Sequence, residues 1–169
     1  IKKLRSDLNC KLIRGNVDTR INKLKQGFYD AIILSYAGIK FLEFENEVSE
    51  IFSTQQIIPS VGQGIIALQC RESDEEMNLI LSKVNHDETY KRAHLERNIL
   101  KVLEGDCETA IGAHSLINGD KIIVEAELFS LDGSQRFYQK KTGNINEFKS
   151  LGDEVGKILK ETSKESYKR

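Results

Sequence analysis

Apolar residues recur along the first half of the chain in two patterns, short apolar runs and helical spacings. The runs predict buried strands at 11–14, 29–35 and 65–70. Apolar positions three or four residues apart, as in Val17, Ile21 and Leu24, predict a helix. Further helices are predicted at 36–42 and 77–84. Strand, helix and strand at this spacing predict an α/β layer with parallel strands.

The second half of the chain carries a different order of elements. A helix is predicted first, three strands follow it, and another helix closes the pattern. These segments are 88–103, 109–116, 122–129, 137–140 and 151–159. Residues 85–87 predict a domain boundary and a helix cap, and residues 118–120 predict a hairpin turn. This half is therefore predicted to be a small α+β domain with a frayed polar tail at 160–169.

Composition excludes several classes of protein. Of the 169 residues, 39% are apolar and 30% are charged, and the net charge is −1, so no general surface for nucleic acid is predicted. No apolar run approaches the roughly 20 residues of a membrane span. Cys10, Cys70 and Cys107 are few, odd in number and far apart. They predict a reducing compartment, the cytoplasm, rather than a disulfide framework or a zinc site.

The chain starts at Ile1, without an initiator methionine or a signal peptide. Residues 1–8 are typical of the end of a helix that is already under way. The sequence is therefore predicted to be a fragment of a longer protein.

Three clusters carry candidate chemistry, and each also has a plain structural explanation. Arg14 and Arg20 flank a predicted helix start, which favours carboxylates, although two solvated arginines are the commoner case. The Gly-Gln-Gly loop at 62–64 lets a ligand approach the backbone, but it can equally be a turn. Cys107 lies on a loop after a helix, but its acidic neighbours disfavour the thiolate, so it can be an incidental thiol. Cys70, inside a predicted strand, is expected to be buried.

The three histidines are not spaced as metal ligands. His86 is expected to cap a helix, and His94 and His114 to lie on the surface or in satisfied interior positions. No Ser-His-Asp or phosphate-loop pattern occurs. No metal site is therefore predicted.

Five segments occur together in the order of one family, and the chain resembles the porphobilinogen deaminases over nearly its whole length. The segments lie at 14–20, 29–40, 59–64, 85–89 and 103–107. They contain Arg-Gly-Asn-Val-Asp-Thr-Arg, Tyr-Asp-Ala-Ile and then Ala-Gly-Ile-Lys, Pro-Ser-Val-Gly-Gln-Gly, Asn-His-Asp-Glu-Thr and Leu-Glu-Gly-Asp-Cys. Because this combination is specific, it outweighs the plain explanations of the separate clusters.

The resemblance implies a protein of three domains, of which this chain holds the later part. Residues 1–61 would form most of domain two, an α/β lobe resembling a type II periplasmic binding protein and incomplete here. Residues 62–84 would be the hinge and the segment that returns to domain one. Residues 85–169 would be domain three, a small α+β domain that carries the cofactor cysteine. The full-length protein is expected to be a monomer.

The resemblance also implies a reaction and a set of binding residues. The family is a transferase of haem biosynthesis that joins four porphobilinogen molecules into the linear tetrapyrrole hydroxymethylbilane. Its dipyrromethane cofactor is bound by a thioether at the position of Cys107. Gly105 and Gly112 are expected to let this loop retreat as the product lengthens. By the same resemblance, Arg14 and Arg20 match arginines that bind carboxylates. Ser35 and Gly38 match backbone contacts of the cleft wall, and Gln63 and Gly64 match the hinge of the cleft.

Departures from the family and missing motifs limit what this chain is expected to do. Asp106 stands where the family usually has glycine, and Phe41 where it often has a substrate-binding arginine. The family's catalytic aspartate belongs to a part that this sequence lacks, so no catalytic residue is predicted here and the chain alone is expected to be inactive. The alternatives are a non-catalytic binding module for a small anionic ligand and a non-catalytic regulatory paralogue.

Overall fold

A computed structural model describes residues 1–168, which form two compact units, Ile1–Ser53 and the residues from Thr54 onward. The helices are α1 (Val17–Lys25), α2 (Tyr36–Phe41), α3 (Glu75–Val84), α4 (Asp87–Val102) and α5 (Phe148–Ser163). The strands are β1 (Ile111–Asn118), β2 (Lys121–Phe129) and β3 (Arg136–Asn144). Short 3₁₀ turns lie at Glu45–Glu47 and Ile145–Glu147. Among the described residues, no helix has the length and apolar character needed to cross a membrane.

The second unit is built on an antiparallel sheet in the order β1-β2-β3. A two-residue turn joins β1 to β2, and Gly119 takes the positive φ of +61° that a type II′ hairpin needs at its first central position. Alternate side chains of β2 point into the core. The fully buried ones are Ile122, Val124, Ala126 and Leu128. The predicted three-stranded sheet with helices on either side in sequence is confirmed.

Helices α4 and α5 pack together and against one face of this sheet. Their fully buried side chains are Leu95, Ile99, Leu103, Val155 and Leu159. Two glycines of α5 allow a close helix contact, because a Cβ on Gly152 would lie 2.5 Å from the Leu95 carbonyl oxygen and one on Gly156 would lie 2.7 Å from Val102 Cβ. Since a fully buried aliphatic side chain contributes about 1.5–3 kcal/mol, this core is the main source of stability in the unit.

The C-terminal residues pack against the end of α4, so the prediction of a frayed tail is wrong for residues 160–168. Helix α5 continues to Ser163, and the Tyr167 ring is buried. The Tyr167 hydroxyl donates a hydrogen bond to the Leu103 carbonyl oxygen at 3.0 Å. One aromatic residue in a polar segment was enough to anchor it, because a tyrosine combines a large apolar ring with a polar tip.

Three segments without regular secondary structure do not enter a sheet, so the strands predicted there are wrong for this structure. The segments are 11–14, 29–35 and 65–70. Within residues 1–168 the sheet formed by β1, β2 and β3 is the only one. Leu12, Ile33 and Ile66 are 76%, 55% and 90% exposed. An apolar run becomes a strand only where a neighbouring strand forms hydrogen bonds with its backbone N–H and C=O groups and where other elements cover its side chains.

The first unit is organised by α1 and α2, at the positions where the sequence predicts helices. Ile21 of α1 and Ile39 of α2 are its buried apolar side chains. One contact between them is at Gly38, where a Cβ would lie 3.4 Å from Val17 Cγ2, an ordinary van der Waals distance. This contact brings together the first turns of the two helices.

Candidate functional site

Cys107 lies in a tight turn directly after α4, as the sequence predicts, and it is exposed. Asp106 closes this turn, because its Oδ1 accepts hydrogen bonds from the backbone N–H of Glu108 at 2.8 Å and of Thr109 at 3.1 Å. The Thr109 hydroxyl oxygen accepts a hydrogen bond from the Asp106 N–H at 3.0 Å. Asp106 therefore stabilises the turn that presents the thiol.

The glycines on either side of Cys107 are closely packed. A Cβ on Gly105 would lie 2.7 Å from Leu100 Cδ1, and a Cβ on Gly112 would lie 2.8 Å from the Ile58 carbonyl oxygen. Neither glycine has a positive φ. Gly112 therefore has no room for a side chain beside the Ile58 backbone, whereas Gly105 meets only side-chain atoms of Leu100 and Thr109. The expected mobility of the loop stays a prediction.

The acidic residue that ends the helix before Cys107 is paired with lysines. Glu104 has a φ of +54°, and its carboxylate lies 2.6 Å from Lys168 Nζ and 3.2 Å from Lys160 Nζ. The hydrogen bond from Lys168 is the main reason that the pKa of Glu104 is lowered. Since the two cations offset its charge, Glu104 adds less negative potential at the thiol than the sequence suggests.

The loop at residues 62–64 is shaped by two glycines with positive φ. Gly62 and Gly64 have φ values of +70° and +78°, a conformation that favours glycine over other residues. Between them the N–H of Gln63 donates a hydrogen bond to the Ser60 carbonyl oxygen at 3.0 Å. The Gln63 side chain is exposed. The loop therefore presents an amide group to solvent.

The segment that leads into this loop is bonded to the start of β1. The N–H of Ala113 donates to the Pro59 carbonyl oxygen at 2.9 Å, and Ser60 forms an antiparallel bridge with Gly112. The Cys107 turn leads into the same end of β1. The second unit therefore attaches two of the predicted site segments to one end of one strand.

Glu96 is a buried residue that the sequence reasoning missed. It lies on α4 and is 3% exposed, and its carboxylate accepts hydrogen bonds from Gly62 and Ser115. The available signal was its helical spacing, because Glu96 lies three residues before Ile99 and seven before Leu103 on the apolar face. A carboxylate at such a position needs buried donors.

The predicted arginines lie at the start of α1 in the first unit. Arg20 is half-buried, and its Nε donates a hydrogen bond to the Gly15 carbonyl oxygen at 2.7 Å. Arg14 is exposed, and its carbonyl oxygen accepts a hydrogen bond from Lys23 Nζ at 3.0 Å. One guanidinium is therefore oriented by the backbone, whereas the other extends into solvent.

Ser35 and Gly38 lie at the start of α2. Ser35 is the N-cap residue, is exposed, and makes no capping hydrogen bond with its side chain. Gly38 contacts Val17 in the first turn of α1. The structure thus gathers four of the predicted site residues near the starts of two adjoining helices, where backbone N–H groups favour anions.

The other thiols have different surroundings. Cys70 is half-buried rather than buried as expected, because its segment is not in a sheet, and its Sγ lies 3.4 Å from Asn78 Oδ1. It borders an open groove of about 480 Å³. Cys10 is exposed. Among residues 1–168, no three His, Cys, Asp or Glu side chains are grouped as a metal ion would require.

Comparison with known proteins gives the family of this chain. Residues 1–79 match the family model "Porphobilinogen deaminase, dipyromethane cofactor binding domain", and residues 90–161 match "Porphobilinogen deaminase, C-terminal domain". The chain therefore belongs to the porphobilinogen deaminase family.

Two curated relatives illustrate the similarity. The porphobilinogen deaminase of Coxiella burnetii strain RSA 493 is 38% identical over 169 residues, which is 100% of this chain and 55% of the relative. That of Nitrobacter hamburgensis is 35% identical over 167 residues, which is 99% of this chain and 53% of the relative. The chain spans about half the length of the curated relatives it matches.

Proposed function

We propose that this chain is the C-terminal part of a hydroxymethylbilane synthase, the transferase that joins porphobilinogen molecules into the linear tetrapyrrole hydroxymethylbilane. The observation that carries the proposal is the exposed Cys107 thiol in a braced turn, within the match to the family's C-terminal domain. The names of the relatives support the same activity. The catalytic residues are proposed to lie outside this chain, which would be inactive by itself.

The surroundings of Cys107 fit a dipyrromethane bound by a thioether. Because the residue is exposed, a group attached to Sγ can extend from the turn without displacing packed side chains. The Asp106 hydrogen bonds hold the backbone on both sides of the thiol. A thiol that reacts once with a group delivered beside it gains rate from proximity. When bound, the dipyrromethane supplies the primer to which porphobilinogen units are joined.

Arg14 and Arg20 are proposed to bind the acetate and propionate carboxylates of the pyrroles. The bond from Arg20 to the Gly15 carbonyl oxygen uses Nε only, so the terminal nitrogens remain for a bidentate pair. Both residues lie in the segment that matches the cofactor-binding domain. A chain of pyrroles is a polyanion, and its binding therefore requires cations of this kind.

The remaining predicted residues are proposed to contribute backbone contacts and the hinge. Ser35 and Gly38, at the start of α2, would offer N–H groups to the cleft. Gln63 and Gly64 would form the hinge, and the exposed Gln63 amide can both donate and accept hydrogen bonds. All four positions lie within residues 1–79, the first family match.

The domain assignment is also proposed from the family. Residues 1–61 would be most of an α/β lobe of the type II periplasmic-binding-protein kind, 62–84 the segment that returns to another lobe, and 85–169 the third domain. The exposed apolar side chains Leu12 and Ile66, in apolar runs that join no sheet, support this division, because such runs suit strands with partners elsewhere. A monomeric, cytoplasmic enzyme is proposed on the same basis.

Intact-mass analysis of the full-length holoenzyme that contains this chain tests the proposal. We expect an adduct of two pyrrole units, mapped by peptide digestion to Cys107. Cys107→Ala should lose both the adduct and the activity. Cys10→Ala is the matched control, because Cys10 is also exposed, and it should retain both, as should Cys70→Ala. An adduct on Cys10 or Cys70, or full activity in Cys107→Ala, would contradict the proposal.

A further inference from the structure

Glu96 is a buried carboxylate to which the proposed function assigns no role. Its Oε1 accepts hydrogen bonds from the Ser115 N–H at 2.9 Å and from the Ser115 hydroxyl at 2.7 Å. Its Oε2 accepts a hydrogen bond from the Gly62 N–H at 3.1 Å. Removal of a carboxylate from water is costly unless its oxygens are hydrogen-bonded, and here both are.

The two oxygens of Glu96 serve two different parts of the second unit. Oε1 is bound to β1, the first strand of the sheet, whereas Oε2 is bound to the loop that carries Gln63. No side chain fills the space beside Gly62, since no atom lies within 4 Å of a Cβ built there. The position of this glycine therefore depends on its backbone contacts, and the bond to Glu96 is a charge-assisted one.

We propose that Glu96 is a positioning residue that sets the orientation of the Gly62–Gly64 loop relative to β1. Through the Gly62 N–H it determines the direction in which the adjacent Gln63 amide points. The inference rests on the proposed function, in which Gln63 and Gly64 form the hinge of the substrate cleft. Glu96 itself touches no reacting atom.

The substitution Glu96→Gln tests this role with almost no change in volume. Glutamine has one oxygen that accepts and one NH₂ group that only donates. Because Ser115 presents two donors and Gly62 presents one, the oxygen should stay on Ser115 and the NH₂ group should face the Gly62 N–H. Two donors then oppose each other, and the loop is released while the contact with β1 remains.

Two variants serve as controls. Ser115→Ala removes one donor from Oε1 and leaves the bond from Gly62 to Oε2 intact, so the loop should keep its position. Glu88→Gln changes an exposed carboxylate on the same helix and should behave as the wild type.

Amide hydrogen exchange measures the contact directly. In the wild-type holoenzyme the Gly62 amide should exchange slowly although it lies in a loop. In Glu96→Gln we expect exchange about 10- to 100-fold faster, as for loss of a hydrogen bond to a charged group. A Gly62 amide that exchanges fast in the wild type, or at the same rate in Glu96→Gln, would contradict the hydrogen bond between the Gly62 N–H and Glu96.

Steady-state kinetics of the full-length holoenzyme distinguish a positioning role of Glu96 from a contribution to folding alone. Glu96→Gln should raise KM for porphobilinogen by more than it lowers kcat, with the Cys107 adduct and the folded state at the assay temperature retained. A released loop with wild-type kinetics, or a loss of activity that follows a loss of folding, overturns the positioning role. A wild-type protein without adduct or activity instead contradicts the proposed function, while the exchange rate still decides the contact between Glu96 and Gly62.

Discussion

The two units of the chain differ in where their apolar side chains lie. In the second unit, Ile99, Val124 and Leu159 are fully buried between two helices and a sheet. In the first unit, Ile21 and Ile39 are the buried apolar side chains. Many of its other large apolar side chains are exposed. Leu12, Phe28, Ile33 and Phe41 are 76%, 67%, 55% and 85% exposed.

This difference follows from where each strand finds its partner along the chain. The strands of the second unit are neighbours in sequence and antiparallel, so short turns are enough to pair them. A parallel strand finds its partner only after a crossover of a dozen or more residues. The first unit has the apolar runs of such strands, but the described residues contain no partner strand for them. A self-sufficient core therefore requires local partners as well as apolar residues.

The largest expected effect comes from truncation of the core of the second unit. Leu159→Ala should lower the free energy of unfolding by about 2–5 kcal/mol, because it leaves a cavity where no side-chain area is exposed. The matched change Leu12→Ala, at a side chain that is 76% exposed, should alter it by less than about 0.5 kcal/mol. Urea unfolding followed by circular dichroism measures both variants. Equal losses of unfolding free energy in the two variants would contradict the proposed difference in core packing between the two units.

A smaller effect, on binding rather than stability, is expected in the first unit. In the full-length enzyme, Arg20→Ala should weaken binding of the pyrrole carboxylates by about 1.5–3 kcal/mol, the range for a charge-assisted hydrogen bond. The accumulation of enzyme-bound intermediates, measured by intact mass, should then stop early. Arg5→Ala, which removes an exposed arginine paired with Asp7, is the control and should elongate normally. Normal turnover in Arg20→Ala would show that this arginine does not bind the substrate chain.

The smallest expected effect is a dependence on pH that belongs to the second unit, which holds all the histidines. Burial, and then the Arg92 charge, lowers the pKa of His114 below its ordinary 6.5, against the opposite effect of Glu96 and Glu125. The folded protein therefore binds this proton less tightly than the unfolded chain does. Stability should be complete above pH 6.5 and should decrease as the pH falls towards the lowered pKa.

Unfolding measured at several pH values tests this dependence. His114→Gln should show a shallower loss of stability on acidification than the wild type. Part of the slope should remain, because burial also lowers the pKa of His94, with Lys149 and Arg97 adding to the effect. An unchanged slope in His114→Gln would contradict the assignment.

Much of the second unit could be predicted from the sequence. Its helices, three strands and hairpin follow from local periodicity and from turn residues such as Gly119, and each strand pairs with its neighbour in sequence. The anchoring of the tail by Tyr167 could not be predicted in this way. It depends on the Leu103 carbonyl oxygen, and a contact so distant in sequence leaves no local pattern.

The candidate site shows the same division. The sequence by itself determined the family and proposed Cys107, Arg14, Arg20, Gln63 and their neighbours as candidate site residues, because motif order and residue chemistry are properties of the chain alone. Only the tertiary structure decided that Asp106 stabilises the cysteine turn, that Gly112 has no room for a side chain, and that the apolar runs remain outside a sheet. It also decided that Glu96 is bound to both a loop and a strand. These depend on which groups meet in space, since hydrogen bonds and packing act over a few ångströms whatever the separation along the chain.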